Sequence, residues 1–301
     1  EWAQLARAPS YTAFCEGYRL DVCAPTDNKP FFFNMKRLGD VGQSLGPGYI
    51  YAIDPFLVLV ATLGVLAVLC LLAFALPLFL VRSAARPRMA DLSFFAAIGV
   101  GFLMLEVVLI QRFVLFLGFP TYALSVVLFA MLVFTGAGAL LAGRVGGPPR
   151  RSLMTALAAV AVVIVVAAFG LQPLLRALIE LPFAARVAVT VALLAPLSVG
   201  LGMAMPIGLR RLSLISPGAV PWAWAINGVT SVLASALAVA VAITAGFTWA
   251  TLAAAACYLA ALAHAAFGRW PEEGEGKPPE AVPARESVPA GAAHQRPSAR
   301  A

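Results

Sequence analysis

The chain has 301 residues, of which 61% are hydrophobic and 12% charged, and it carries a formal charge of +7. Soluble domains run near 25% charged residues, so this composition excludes an ordinary soluble enzyme and points to a membrane protein. The basic excess is no nucleic-acid footprint: residues 1–54 hold five Lys/Arg and six Asp/Glu, residues 268–301 hold five of each, and the apolar middle holds eleven Arg and three acids. Arginine gathered in short loops between apolar runs is topology-setting charge.

Residues 1–54 read as the C-terminal end of a soluble domain plus a linker, and the start at Glu1, with no signal-like segment ahead, reads as the downstream part of a longer protein. Tyr11, Phe14, Tyr18 and Leu20 supply apolar contacts, and Pro25-Thr26-Asp27-Asn28-Lys29-Pro30 is turn chemistry. Phe31, Phe32 and Phe33 follow and need a wall to pack against, and Gly46-Pro47-Gly48 breaks the chain before the membrane. Cys15 and Cys23 pair if their side of the membrane is oxidising, and their spacing is not a metal signature. Cys70 and Cys257 fall in apolar helices and read as inert thiols.

Seven spans are expected over residues 55–267, after that short remnant of a soluble α/β domain. They are Phe56–Val81, Leu92–Leu117, Tyr122–Ala142, Leu153–Leu171, Val187–Leu209, Trp222–Ala245 and Phe247–Phe267. Asp91 or Ser93 caps the second span, and Gly118-Phe119-Pro120 closes a hairpin to the third. Gln172–Arg186 reads as a short interfacial helix with Arg176 and Glu180 on one face. Pro196, Gly200, Gly202 and Pro206 make the fifth span bent and closely packed. Residues 268–301, rich in Pro, Glu, Gly and Ala, read as a disordered tail.

Arg82, Arg86, Arg88, Arg144, Arg150, Arg151, Arg210 and Arg211 all fall in loops after the first, third and fifth spans. The positive-inside rule makes those loops cytoplasmic in a bacterial inner membrane, with residues 1–54 and the tail on the other side.

Glu106 stands near the middle of the second span, where an unpaired charge costs on the order of 3 kcal/mol or more. Gly99, Glu106 and Phe113 form one stripe of that helix. Arg112 lies about 9 Å from the helix end and is expected to snorkel to the interface. Candidate partners for the carboxylate are Thr135 in the third span and Asn227 and Ser231, with Ser235, in the sixth. Glu106 is then either a cation or proton site or a structural acid that fixes helix packing. His264, near the end of the last span, reads as an interfacial residue. No metal-ligand spacing, phosphate-cradling glycine loop or nucleophilic triad is present, so no catalytic, cofactor or metal residue is assigned.

Three stretches carry a resemblance over most of residues 10–262. They are PTDNKPFFFN at 25–34, GFLMLEVVLIQRFVLFLGFPTYALSVVL at 101–128, and GMAMPIGLRRL with WAWAINGVTSVLASALA at 202–238. Together they resemble the large bacterial membrane proteins described as spermidine synthase-like, in which a soluble domain of S-adenosylmethionine-dependent type is fused to many helices. In that family the segment matching residues 25–33 usually reads TDDRPFFF, so Asn28 and Lys29 stand here for an acid and an arginine. The resemblance places any transferase site upstream of Glu1 and implies no cofactor in this chain.

It implies a membrane part that anchors the soluble domain or couples it to a membrane substrate. A polyamine or small-cation transporter using Glu106 and a purely structural anchor are the alternatives. The partners expected are the lipid bilayer, the upstream domain and, in the transporter case, a small cation. The resemblance sets a tension: a domain using S-adenosylmethionine belongs in the cytoplasm, whereas the arginine count puts residues 1–54 outside.

Overall fold

Among the described residues, seven apolar runs fold into seven helices long and apolar enough to cross a membrane. The computed structural model describes residues 10–17, 22–31, 55–80, 88–144, 149–268 and 270. Its elements in chain order are α1 (Tyr11–Gly17), α2 (Pro55–Leu80), α3 (Met89–Leu117), α4 (Pro120–Ala142), α5 (Pro149–Ala177), α6 (Phe183–Ile215), a 3-10 turn (Pro217–Ala219), α7 (Val220–Ala245) and α8 (Phe247–Phe267). No strand occurs among the described residues, and the protein is an all-α, seven-span membrane protein. Phe32, Phe33, Gly46-Pro47-Gly48, the loop residues Arg82 and Arg86, and the tail from Pro271 lie outside the described residues.

α3 is the hub. It packs on α4, α6, α7 and α8, α4 lies along α6, and α5 lies along α8 and α6. More than half of its most apolar window is buried, 56%, against 6% for α2, which packs on α7. Phe94, Phe95, Leu105, Phe113 and Phe116 fill the centre. Outward-facing Leu and Val on α2, α4 and α5 are the lipid surface expected of such a bundle.

Two tight turns set the hairpins. α3 ends at Gly118, whose φ of 91° is open to glycine at no steric cost, and Pro120 opens α4 where a missing N–H is harmless. α7 and α8 are joined by Gly246 alone, with φ 92°. The expected close packing of the fifth span is found between α4 and α6. A Cβ on Gly138 would come within 2.1 Å of the Val199 carbonyl oxygen, and one on Gly202 within 2.1 Å of the Thr135 carbonyl oxygen. Only glycine lets two helices meet backbone to backbone in this way.

The interfacial helix expected over 172–186 does not form as a separate element. Gln172–Ala177 prolongs α5 through Pro173, and Phe183–Arg186 begins α6, which then runs 33 residues through Pro196 and Pro206. Pro173 removes one backbone bond but does not end α5, which continues to Ala177.

Candidate functional site

Polar side chains inside the bundle collect in three places, and the most elaborate is at the end where the hairpins 118–119, 178–182 and 246 lie. There the turn at residues 26–29 sits on the helix ends. Thr26 and Lys29 exchange backbone hydrogen bonds, at 3.3 and 2.9 Å, which leaves Asp27 and Asn28 at the tip.

Asn28 caps α8 from outside that helix. Its backbone carbonyl accepts from the Phe247 N–H at 2.8 Å, and its Oδ1 accepts from the Thr248 N–H at 2.9 Å and the Thr248 hydroxyl at 2.8 Å. The first N–H groups of a helix have no partner of their own, so these bonds satisfy donors that would otherwise be orphaned. Gly246 makes the approach possible, because a Cβ there would stand 2.6 Å from the Asn28 amide nitrogen. Phe31 follows the turn and meets Phe247 edge to face at 5.7 Å, the wall that the aromatic run required.

Asp27 reaches the other way, to the last turns of α5. It accepts from the Arg176 guanidinium at 2.7 Å and from the Gln172 amide at 3.2 Å. Arg176 thus pairs with Asp27 and not with Glu180.

Beneath the turn lies Arg112. It does not snorkel to the interface but is buried, 4% exposed. Its guanidinium donates to the Ala167 and Ala168 carbonyls of α5, at 3.2 and 3.3 Å, and to the Thr248 hydroxyl of α8 at 3.3 Å. Those carbonyls and that hydroxyl replace water as acceptors. Arg112, Asp27, Gln172 and Arg176 then line one cleft of about 280 Å³. Arg186, at the start of α6, donates to the Phe116 carbonyl at 2.8 Å and closes the end of α3.

The second cluster joins α7 to α3. Asn227 donates to the Phe95 carbonyl at 3.0 Å, Thr230 to Ala96 at 3.4 Å and Ser231 to Gly99 at 3.2 Å. Gly99 is where the backbones approach, since a Cβ there would stand 2.7 Å from the Asn227 carbonyl oxygen.

At the opposite end of the bundle, Asp91 of α3, Arg211 of α6 and His264 of α8 form a third cluster. Arg211 meets Asp91 at 3.2 Å and the His264 Nε2 at 3.0 Å, and lies 5.4 Å over the Trp270 ring. The expected cap by Asp91 or Ser93 is not found, since the cap position is Arg88 with no side-chain bond; Asp91 instead ties three helices together, and His264 faces inward.

The residues proposed to surround Glu106 are not gathered round it. Asn227 and Ser231 bond α3 carbonyls seven or more residues earlier, and Thr135 bonds the Met131 and Leu132 carbonyls of its own helix. Glu106 itself is buried, 7% exposed, with no hydrogen-bond or ion-pair partner among the described residues. Among the described residues no group of three or more His, Cys, Asp or Glu could hold a metal ion.

Asp27 and Asn28 are recognisable in the sequence as turn residues, but what they dock on is not, because the partners lie 145 and 220 residues away. A signal was present in Thr248, a hydroxyl at the second position of a helix whose own cap is glycine. Searches against family models, curated proteins and solved structures find no match to this chain.

Proposed function

We propose that the bundle is a membrane-embedded docking module that fixes an extramembrane segment onto its helix ends and couples that segment to the bilayer. The observation that carries this reading is the Asn28 cap on α8 together with the Asp27–Arg176 pair, which clamp one turn to two helices. A chain that needed only a membrane tether would have no use for five hydrogen bonds from two adjacent side chains and one carbonyl. In the spermidine synthase-like reading the docked segment closes a soluble domain that the bundle brings to a membrane substrate, and a domain using cytoplasmic S-adenosylmethionine would require the docked end to face the cytoplasm. The docked turn is the same TDN stretch that carries the resemblance. Placement in a bacterial inner membrane belongs to this reading.

The reading includes a sidedness. Docking puts residues 22–31 at the bundle end opposite the described arginines Arg88, Arg144, Arg150, Arg151, Arg210 and Arg211. The positive-inside rule makes that the non-cytoplasmic side. The Cys15–Cys23 disulfide agrees, since disulfides persist in oxidising compartments. A second reading, a carrier of polyamines or another small cation, is favoured by one observation, the buried and unpartnered Glu106 carboxylate.

Polyamine uptake into vesicles reconstituted with the full chain, compared with Glu106→Gln, decides between the two. Docking predicts no uptake in either protein, together with a ready disulfide between Asn28→Cys and Thr248→Cys in native membranes. Uptake that the Gln variant abolishes, or failure of that cross-link to form, overturns it.

A further inference from the structure

We infer that the cleft beneath the docked turn binds the phosphate headgroup of an anionic membrane lipid. The strongest reason is Arg112. It is a buried cation whose bonds all go to neutral acceptors, two carbonyls and a hydroxyl, and its Nε has no partner. No carboxylate lies within ion-pair distance of it among the described residues. A buried cation without a counter-ion is costly, and a bound anion is the remedy that the lining allows.

The rest of the lining fits that anion. Arg176 stands at the rim with a side chain 65% exposed, so its guanidinium has donors beyond the one spent on Asp27. Gln172 gives one amide hydrogen to Asp27 and has a second to offer. Two guanidiniums against one carboxylate leave one net positive charge, which suits a monoanionic phosphodiester held by paired N–H donors.

Two features favour a lipid over a soluble anion. The cleft holds about 280 Å³, near the lower end of ligand pockets and of headgroup scale. Its flank is apolar, with Leu115 52% and Ile179 42% exposed on the bundle's outer surface, so the opening faces acyl chains and not only water. The site lies at the helix ends, at headgroup depth. It stands whichever compartment that end faces, and it does not depend on what lies upstream.

The test measures thermal stability of the purified full chain in a neutral detergent, titrated with phosphatidylglycerol, phosphatidylcholine or inorganic phosphate. Phosphatidylglycerol is expected to raise the melting temperature and phosphatidylcholine to do little. Arg176→Gln removes the rim cation and with it the Asp27 ion pair, and is expected to weaken the phosphatidylglycerol response about tenfold in apparent affinity; Asp27→Asn breaks the same pair but keeps both cations.

Asp27→Asn separates a ligand site from a purely structural cluster. It removes the competing carboxylate and is expected to tighten the response, although it weakens the docked turn. Equal responses to the two lipids, an unchanged response in Arg176→Gln, or a weaker one in Asp27→Asn overturns the site. A full response to inorganic phosphate alone overturns the lipid as its occupant.

Discussion

Replacing Asn28 by Ala tests the docked turn at its most exacting contact. The substitution removes the Oδ1 acceptor of two hydrogen bonds, from the Thr248 amide at 2.9 Å and its hydroxyl at 2.8 Å. It leaves the backbone bond from Phe247 to the residue 28 carbonyl, at 2.8 Å, in place. Losing a cap of this kind costs about 1 kcal/mol, and stranding the Thr248 N–H in a half-buried site brings the sum to about 1–2 kcal/mol. That is roughly a five- to thirtyfold rise in the open fraction of the first turn of α8.

Hydrogen exchange of peptides beginning at Gly246 reads it directly, and the Thr248 amide is expected to exchange faster by that factor. Asn28→Asp keeps the acceptor and adds a charge that the helix N-terminus favours, so its exchange should stay within about twofold of the native chain. Unchanged exchange in Asn28→Ala, or equal acceleration in Asn28→Asp, would refute the cap.

The other contacts make sharper contrasts. Gly138→Ala and Gly202→Ala each push a methyl group to 2.1 Å from a backbone oxygen of the facing helix, and each should lower thermal stability by about 1–3 kcal/mol or more. Gly136→Ala, on the same helix as Gly138 with nothing within 4 Å of the new Cβ, should raise it by about 0.4–1 kcal/mol. Asp91→Asn takes the carboxylate from a buried Arg211 and should cost about 3–5 kcal/mol. Adding Arg211→Gln should recover much of that loss in a double-mutant cycle, and strict additivity would show the pair is not coupled.

The seven helices were legible because lipid leaves a chain only a few options: a run of some twenty apolar residues with no water to bond must be a helix. The hairpins at Gly118 and Gly246 were legible for the same local reason, as was the small-residue packing around Gly202. What stayed hidden were the partners. Arg112 looked free to snorkel because it stands about 9 Å from its helix end, and only the fold brings Ala167, Ala168 and Thr248 within reach. Asp91, Arg211 and His264 looked like a cap, a topology signal and an interfacial residue. Nothing along the chain says that these three helix ends coincide. Gln172–Arg186 reads as a separate element because Pro173 and Pro182 suggest boundaries on both sides, whereas α5 continues past Pro173 to Ala177.

The disulfide gives the sidedness its decisive test. Cys15 and Cys23 are joined, and the other two cysteines, Cys70 and Cys257, lie within helices of the bundle. A membrane-impermeant maleimide applied to intact cells should therefore add no label until an impermeant reductant is supplied. It should then add two, both on a peptide containing Cys15 and Cys23. Labelling that needs permeabilised cells would put the docked turn beside the cytoplasm and reverse the assignment of all the arginine loops. Closing a loop of this size stabilises its segment by about 2.5 kcal/mol on the chain-entropy account, a gain that a reducing compartment would forfeit. If the expected labelling holds, the docked segment cannot close a domain that draws S-adenosylmethionine from the cytoplasm. The docking proposed for Asp27 and Asn28 would then serve chemistry or recognition on the outer face.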